Sequence, residues 1–98
     1  NKMSPKKKKK LESIRIKLDI LDNKLLSLMK YRTSLVKEVL KLKEFKKEIV
    51  DQKRINFILN KIKGKSKKLK IDTKITNRIW KNMIWSYIDY ERRNFKKK

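Results

Sequence analysis

Apolar residues recur at alternating spacings of three and four along the first half of the chain. The repeat extends from residue 11 to about residue 45 and comprises Leu11, Ile14, Leu18, Leu21, Leu25, Leu28, Leu35, Val39 and Leu42. This spacing predicts a long amphipathic helix. At about 1.5 Å per residue the helix is about 50 Å long, longer than a compact domain of 98 residues is wide. We therefore expect a second chain to cover its apolar face.

One position of this apolar face holds Arg32 instead of an aliphatic residue. No carboxylate stands three or four residues away from Arg32 in the sequence, and the same is true of Lys43, about 16 Å further along the same face. A buried cation without a partner costs several kcal/mol. We therefore expect an anion from another helix or from a ligand to meet these two cations.

A second, shorter helix is predicted after a loop at residues 46–50. Asp51 is a good N-cap for this helix, and Gly64 is expected to end it. Its apolar face comprises Ile55, Ile58, Leu59 and Ile62. Arg54 lies in the first turn, where the helix dipole favours an anion, so Asp51 or a bound anion is expected to offset its charge. The alternative is that the side chain lies on the surface with its charged end in water.

A third helix is predicted after a basic, solvated linker at residues 65–70. Asp72 is expected to cap this helix, which extends to about Phe95. One face of the helix carries Trp80, Ile84, Tyr87 and Glu91. Glu91 therefore places a carboxyl group on an otherwise apolar and aromatic stripe. The alternative is that the helix frays there and Glu91 pairs with a lysine in solvent.

Composition excludes several kinds of chemistry. The chain has no cysteine and no histidine, which removes disulfides, thiolate and imidazole nucleophiles and nearly all zinc or iron sites. We predict no metal and no cofactor. No stretch is long and apolar enough to cross a membrane, and the N-terminus lacks the apolar segment of a signal peptide. The sequence thus predicts a cytoplasmic protein without membrane contact.

The formal net charge is +22, from 32 basic and 10 acidic residues, which raises nucleic acid as a partner. However, 26 of the basic residues are lysines spread over every segment, and alanine is absent, which indicates an AT-rich coding bias. We therefore interpret most lysines as solvated surface. Residues 1–10 form a basic leader that is expected to be disordered or loosely helical, and residues 11–98 form the folded domain.

Several stretches together resemble the small, all-helical (type II) chorismate mutases. They are LESIR (11–15), LDILD (18–22), LLSLMKYR (25–32), VKEVLKLK (36–43) and IVDQKR (49–54), which cover about 45 contiguous residues. Arginine, arginine and lysine at these separations, followed by Asp-x-x-Arg, form a specific pattern. The third helix fits the family less specifically.

The resemblance implies an all-α fold, in which a three-helix chain with one long N-terminal helix pairs as an intertwined helical homodimer. It implies the rearrangement of chorismate to prephenate in the biosynthesis of phenylalanine and tyrosine. Each site would bind chorismate between Arg15 of one chain and residues of the other, namely Arg32, Lys43, Asp51, Arg54, Tyr87 and Glu91. Independently, Arg15 and Arg32 are expected about 25 Å apart and about 100° around one straight helix, so a small ligand cannot bridge both within a chain.

The same resemblance assigns roles in catalysis. Arg15 and Arg32 would each bind one substrate carboxylate, and Lys43 would donate to the ether oxygen as negative charge grows there. The residues expected to act on the reacting atoms are thus Lys43, Glu91 and Arg32.

Three positions depart from the family pattern. Ile55 stands where glutamate is common, Tyr87 where serine is common, and Glu91 where glutamine is common. The loss of glutamate leaves Asp51 as the expected partner of the substrate hydroxyl. An ionised Glu91 would repel the developing charge, so we expect the carboxyl group to be protonated in the active enzyme.

Two other functions are compatible with the sequence. Isochorismate pyruvate lyases share the fold, an aliphatic residue at the place of Ile55 and an aromatic-rich third helix similar to WSYI (85–88), but the full Asp-x-x-Arg motif favours the mutase. A basic helical nucleic-acid-binding module would explain the lysine runs. It would not explain why Arg32 and Lys43 lie on the apolar face, so we expect no specific nucleic-acid partner.

Overall fold

A computed structural model describes residues 3–96 as three α-helices and one short 3-10 turn. Helix α1 is Pro5–Leu42, the 3-10 turn is Lys46–Glu48, α2 is Gln52–Lys68 and α3 is Thr73–Asn94. Residues 3–96 contain no strand. The predicted all-α chain of three helices with a long first helix is therefore confirmed. None of these helices has a stretch apolar enough, over enough residues, to cross a bilayer.

Helix α1 begins earlier than the apolar repeat predicts. The Lys7 N–H donates to the Ser4 Oγ at 3.3 Å, and Pro5 occupies the first helical position, where its missing N–H costs nothing. Lysines 6–10 are therefore part of α1. Asn1 and Lys2 lie outside the described residues, and the domain boundary at residue 11 stays a prediction.

The described chain divides into two units, of which the first ends at Leu35 and contains most of α1. The apolar face of this segment is open to solvent: four leucines are between 51% and 64% exposed, namely Leu18, Leu21, Leu25 and Leu28. No residue of α1 is buried. A continuous row of half-exposed leucines is unfavourable in water, so this face is suited to contact with another apolar surface.

The second unit begins at Val36 and holds the last turns of α1, the 3-10 turn, α2 and α3. Its buried core consists of Ile49, Ile55, Ile84 and Ile88. A partly buried layer packs against this core and consists of Val50, Ile58, Leu59 and Phe95. The side chains of Asp51 and Asp72 accept hydrogen bonds from Arg54 N–H (3.0 Å) and Lys74 N–H (2.8 Å), which confirms both predicted N-caps.

The predicted end of α2 is wrong. The helix continues through Gly64 to Lys68, and most of the supposed linker at residues 65–70 is therefore helical. The Ser66 hydroxyl group is buried and forms a 2.7 Å hydrogen bond with the Thr76 hydroxyl group of α3, which stabilises the extra turn. Lys70 adopts the left-handed conformation (φ 58°), and Ile71 N–H donates to Ser66 C=O at 2.9 Å. This closing pattern is normally made with glycine, so the sequence at Gly64 was misleading.

The predicted end of α1, near Phe45, is three residues too late. The helix ends at Leu42, and the Lys43 N–H donates to Leu40 C=O at 3.2 Å, a tightened last turn. The Glu48 carboxylate then accepts hydrogen bonds from the N–H groups of Glu44 (3.3 Å) and Phe45 (2.9 Å). These contacts end the helix because they satisfy the next two N–H groups outside it.

Gly64→Ala tests the continuous α2 helix. A Cβ at this position meets nothing within 4 Å, and glycine in a helix interior is about 1 kcal/mol less favourable than alanine. We expect the variant to be about 1 kcal/mol more stable in urea denaturation at fixed protein concentration. A destabilised variant would indicate that Gly64 ends the helix, as the sequence predicts.

Candidate active site

A partly buried ion pair joins the end of α1 to the end of α3. The Lys43 Nζ lies 3.1 Å from Glu91 Oε1 and 3.3 Å from Oε2, so one ammonium group contacts both carboxylate oxygens. The side chains are 17% and 7% exposed. Among residues 3–96, Glu91 is the one charged residue that is buried. Another helix thus supplies the anion that the sequence predicts for Lys43.

The position of Lys43 is determined by the end of α1. It directly follows the last helical residue, and Glu48 holds the two N–H groups that come next in the chain. Ile49 then anchors the loop because its side chain is 3% exposed and belongs to the core. The backbone on the C-terminal side of Lys43 is therefore fixed, and its ammonium group has a defined position.

Glu91 is held by the apolar stripe of α3. Ile84 and Ile88 precede it on the same helix face and are both buried, so Glu91 continues that face into the protein. The alternative expectation, that the helix frays and exposes Glu91, is wrong because α3 continues to Asn94. The part of that alternative in which Glu91 pairs with a lysine is correct.

Two other predicted site residues lie together at the start of α2. Asp51 and Arg54 are both exposed, and the Asp51 carboxylate accepts from the backbone of Arg54 rather than from its guanidinium group. The Arg54 guanidinium lies 5.4 Å from the centroid of the Phe57 ring, a cation–π contact. The negative charge of Asp51 lies where the helix dipole favours it, and it eases the presence of Arg54 in the same turn.

The remaining predicted residues lie on α1 and α3. Tyr87 is half-buried and stands one turn before Glu91 on α3. Arg15 and Arg32 belong to the first unit, where Arg15 is exposed and Arg32 is half-buried. Ile55 is a core residue that is 6% exposed, so the place where the family often has glutamate contributes here to packing.

Comparison with known proteins identifies the family. The family model described as Chorismate mutase type II matches residues 14–92, which is most of the chain. The chain belongs to the chorismate mutase type II family. No curated protein and no solved structure matches it. The matched segment includes all seven residues that the sequence assigns to the site, from Arg15 to Glu91.

The protein is accordingly a chorismate mutase, an intramolecular isomerase. The described site suits a unimolecular rearrangement, since such a step needs a positioned cation and hydrogen-bond donors rather than a nucleophile. A lysine ammonium held against a buried carboxyl group is a donor of this kind.

Two residues around the site were missed by reasoning from the sequence. Glu48 caps the backbone after Lys43, but Phe45, three residues before it, has no side-chain oxygen to complete a capping box, so the sequence carried no clear signal for this cap. Phe57 lies under Arg54, three residues further along α2, a spacing at which helical side chains meet. Both act on residues of the predicted site without belonging to it.

Lys43→Met tests the burial of the ion pair. The substitution leaves the Glu91 carboxylate buried without a cation, and we expect a loss of about 3 kcal/mol in unfolding free energy. The double variant Lys43→Met/Glu91→Met should recover most of that loss because an apolar pair has no charge to desolvate. Urea denaturation at one protein concentration measures all variants.

The matched control is the Arg93–Asp89 pair on α3, which has a similar length of 2.9 Å but side chains that are 63% and 67% exposed. Asp89→Asn should change stability by less than about 0.5 kcal/mol. Equal effects at the two pairs would contradict the burial of Lys43 and Glu91.

Proposed function

We propose that this enzyme rearranges chorismate at the Lys43–Glu91 pair, in a site that Arg15 of a second chain completes. The ether C–O bond of chorismate breaks while a new C–C bond forms, and no atom enters or leaves. Negative charge grows on the ether oxygen as the bond breaks. The observation that carries the proposal is the ammonium group of Lys43, fixed by two oxygens of a buried carboxyl group.

Lys43 is proposed to donate to the ether oxygen. A rate gain of about 10⁶ corresponds to about 8 kcal/mol. One well-aimed donor in a site without water supplies about 3 to 4 kcal/mol. Lys43 and one further donor would nearly account for this gain, and the binding of the reactive conformer can supply the rest. Glu91 faces the Lys43 ammonium group with both of its oxygens, and it is proposed to act by holding Lys43 in place.

The other predicted residues are proposed to bind the substrate. Arg15 and Arg32 each hold one carboxylate, because a guanidinium group binds a carboxylate through two parallel hydrogen bonds. Asp51 accepts a hydrogen bond from the substrate hydroxyl group. Arg54 and Tyr87 line the same pocket, where Arg54 adds positive charge opposite a dianionic substrate.

The homodimer is proposed on the exposed leucines of α1. Leu18, Leu21, Leu25 and Leu28 are all at least half exposed in the single chain, and a second copy of α1 offers a matching row. An intertwined pair would bury both rows at once. It would also bring Arg15 of one chain to the site of the other, which agrees with the expectation that one small ligand cannot bridge Arg15 and Arg32 on a single straight helix.

We place the reaction in the cytoplasm and in the route to phenylalanine and tyrosine. The support for the pathway is chemical, because prephenate carries the rearranged carbon skeleton from which the aromatic side chains of these amino acids derive.

Mixing two inactive variants tests the shared site. Arg15→Ala and Lys43→Ala should each form prephenate from chorismate at least about 100-fold more slowly than the parent protein. If Arg15 crosses between chains, a mixed dimer contains one intact site. Equal amounts refolded together should therefore recover about one quarter of the parent activity, since half of the dimers are mixed and half of their sites are intact.

The matched control mixes Arg32→Ala with Lys43→Ala. These residues are proposed to act from one chain, so every site of the mixed dimer keeps a defect and activity stays low. Isochorismate, supplied to the parent protein, controls for lyase activity. Recovery in the control mixture, or none with Arg15→Ala, would contradict the proposed arrangement.

A further inference from the structure

The Glu48 side chain is bonded to the backbone that directly follows Lys43. Its Oε1 accepts hydrogen bonds from the Glu44 N–H at 3.3 Å and from the Phe45 N–H at 2.9 Å. The Glu48 N–H in turn donates to Phe45 C=O at 3.0 Å. Phe45 and Glu48 are therefore joined in both directions, and the turn after α1 is closed by its own hydrogen bonds.

The Glu48 carboxylate acts on its surroundings through these backbone contacts. Within residues 3–96, Glu48 forms no ion pair, although Lys46 and Lys47 precede it in the sequence. The residue is exposed, so a surface pair with either lysine would contribute little in any case. Its two hydrogen bonds to N–H groups are thus the route by which Glu48 can affect the site.

The turn that Glu48 closes limits the movement of Lys43. On one side, the Lys43 N–H donates to Leu40 C=O at 3.2 Å. On the other side, Ile49 is 3% exposed and belongs to the core, and the Glu48 hydrogen bonds lie between these two anchors. Glu91 alone does not replace them, because the flexible four-carbon stem of lysine lets the ammonium group keep this contact from several positions.

We propose that Glu48 is a positioning residue for the rearrangement, which fixes the Lys43 ammonium group relative to the ether oxygen of chorismate. This inference rests on the proposed role of Lys43. A misplacement of about 1 Å can cost about 10²-fold in rate. The ether oxygen gains its charge only in the transition state, so a misplaced donor lowers kcat and leaves KM nearly unchanged.

Two substitutions separate position from charge. Glu48→Ala removes both hydrogen bonds, whereas Glu48→Gln loses the same charge but keeps an oxygen that accepts from the same N–H groups. We expect kcat for prephenate formation to be about tenfold lower in Glu48→Ala, with KM within about twofold of the parent value. In Glu48→Gln, kcat should stay within about threefold of the parent value.

Amide hydrogen exchange followed by NMR reports on the turn without substrate. The Glu44 and Phe45 amides should exchange at least about tenfold faster in Glu48→Ala than in the parent protein, and Glu48→Gln should largely restore their protection. Faster exchange with an unchanged kcat would show that the turn does not position Lys43, and would overturn the proposal.

Asp72→Ala is the matched control. Asp72 caps α3 by accepting from the Lys74 N–H at 2.8 Å, and it lies about 28 Å along the helix from Glu91. The loss of this cap should lower stability to a similar extent as Glu48→Ala, yet leave kcat within about twofold of the parent value. An equal fall of kcat in both variants would assign the effect of Glu48 to stability and overturn the proposal.

The comparison with Lys43→Ala distinguishes two failures. If Lys43→Ala is inactive while Glu48→Ala keeps the parent kcat, the positioning role is wrong and the proposed role of Lys43 stands. If Lys43→Ala keeps its turnover, the proposed role of Lys43 is wrong and the positioning role falls with it. Equal losses of kcat in Glu48→Ala and Glu48→Gln would indicate an effect of charge and would also overturn the proposal.

Discussion

The contact between Lys43 and Glu91 is the interaction on which the second unit depends. It joins residues 48 positions apart, at the ends of α1 and α3, and it requires both helices to end where they do. An apolar pair of similar volume would hold the two helices at least as well, because it avoids desolvating two charges. Stability therefore does not account for this choice of side chains. The proposed role in catalysis would account for it, since a cation that is fixed and largely dry stabilises charge in a transition state.

The first unit depends on a contact that the single chain does not supply. Up to Leu35, α1 is a helix whose leucines stay about half exposed, and most of the stability of a helix in water comes from packing of its apolar face. The proposed dimer would meet two requirements at once, namely packing of the apolar face of α1 and completion of the substrate site. It would cover the leucines, and it would bring Arg15 of one chain to the site of the other. Packing and substrate binding would then select the same pairing of chains.

Periodicity and caps predicted the helices well, whereas contacts between helices decided what the sequence left open. The heptad repeat located α1, and Asp51 and Asp72 located the starts of α2 and α3, because these signals act within a few residues. The prediction that α2 ends at Gly64 was wrong because the buried Ser66–Thr76 hydrogen bond, which joins two helices, stabilises the continuation of α2. The sequence likewise placed Glu91 on an apolar stripe and left Lys43 in need of an anion. That the two meet follows from tertiary packing, which no local signal contains.

The large positive charge and the catalytic charge act in different ways. Most of the 32 basic residues are exposed, and at physiological salt their fields fade over about 8 Å, so they attract a dianionic substrate without distinguishing its ground state from its transition state. Catalysis requires that distinction, and a solvated lysine that reorients with water does not provide it. Lys43 differs because its end of α1 is capped, its side chain is 17% exposed and its ammonium group is held by two oxygens. In the proposed mechanism, the surface lysines affect how often chorismate arrives, whereas the partly buried Lys43 affects how fast it rearranges.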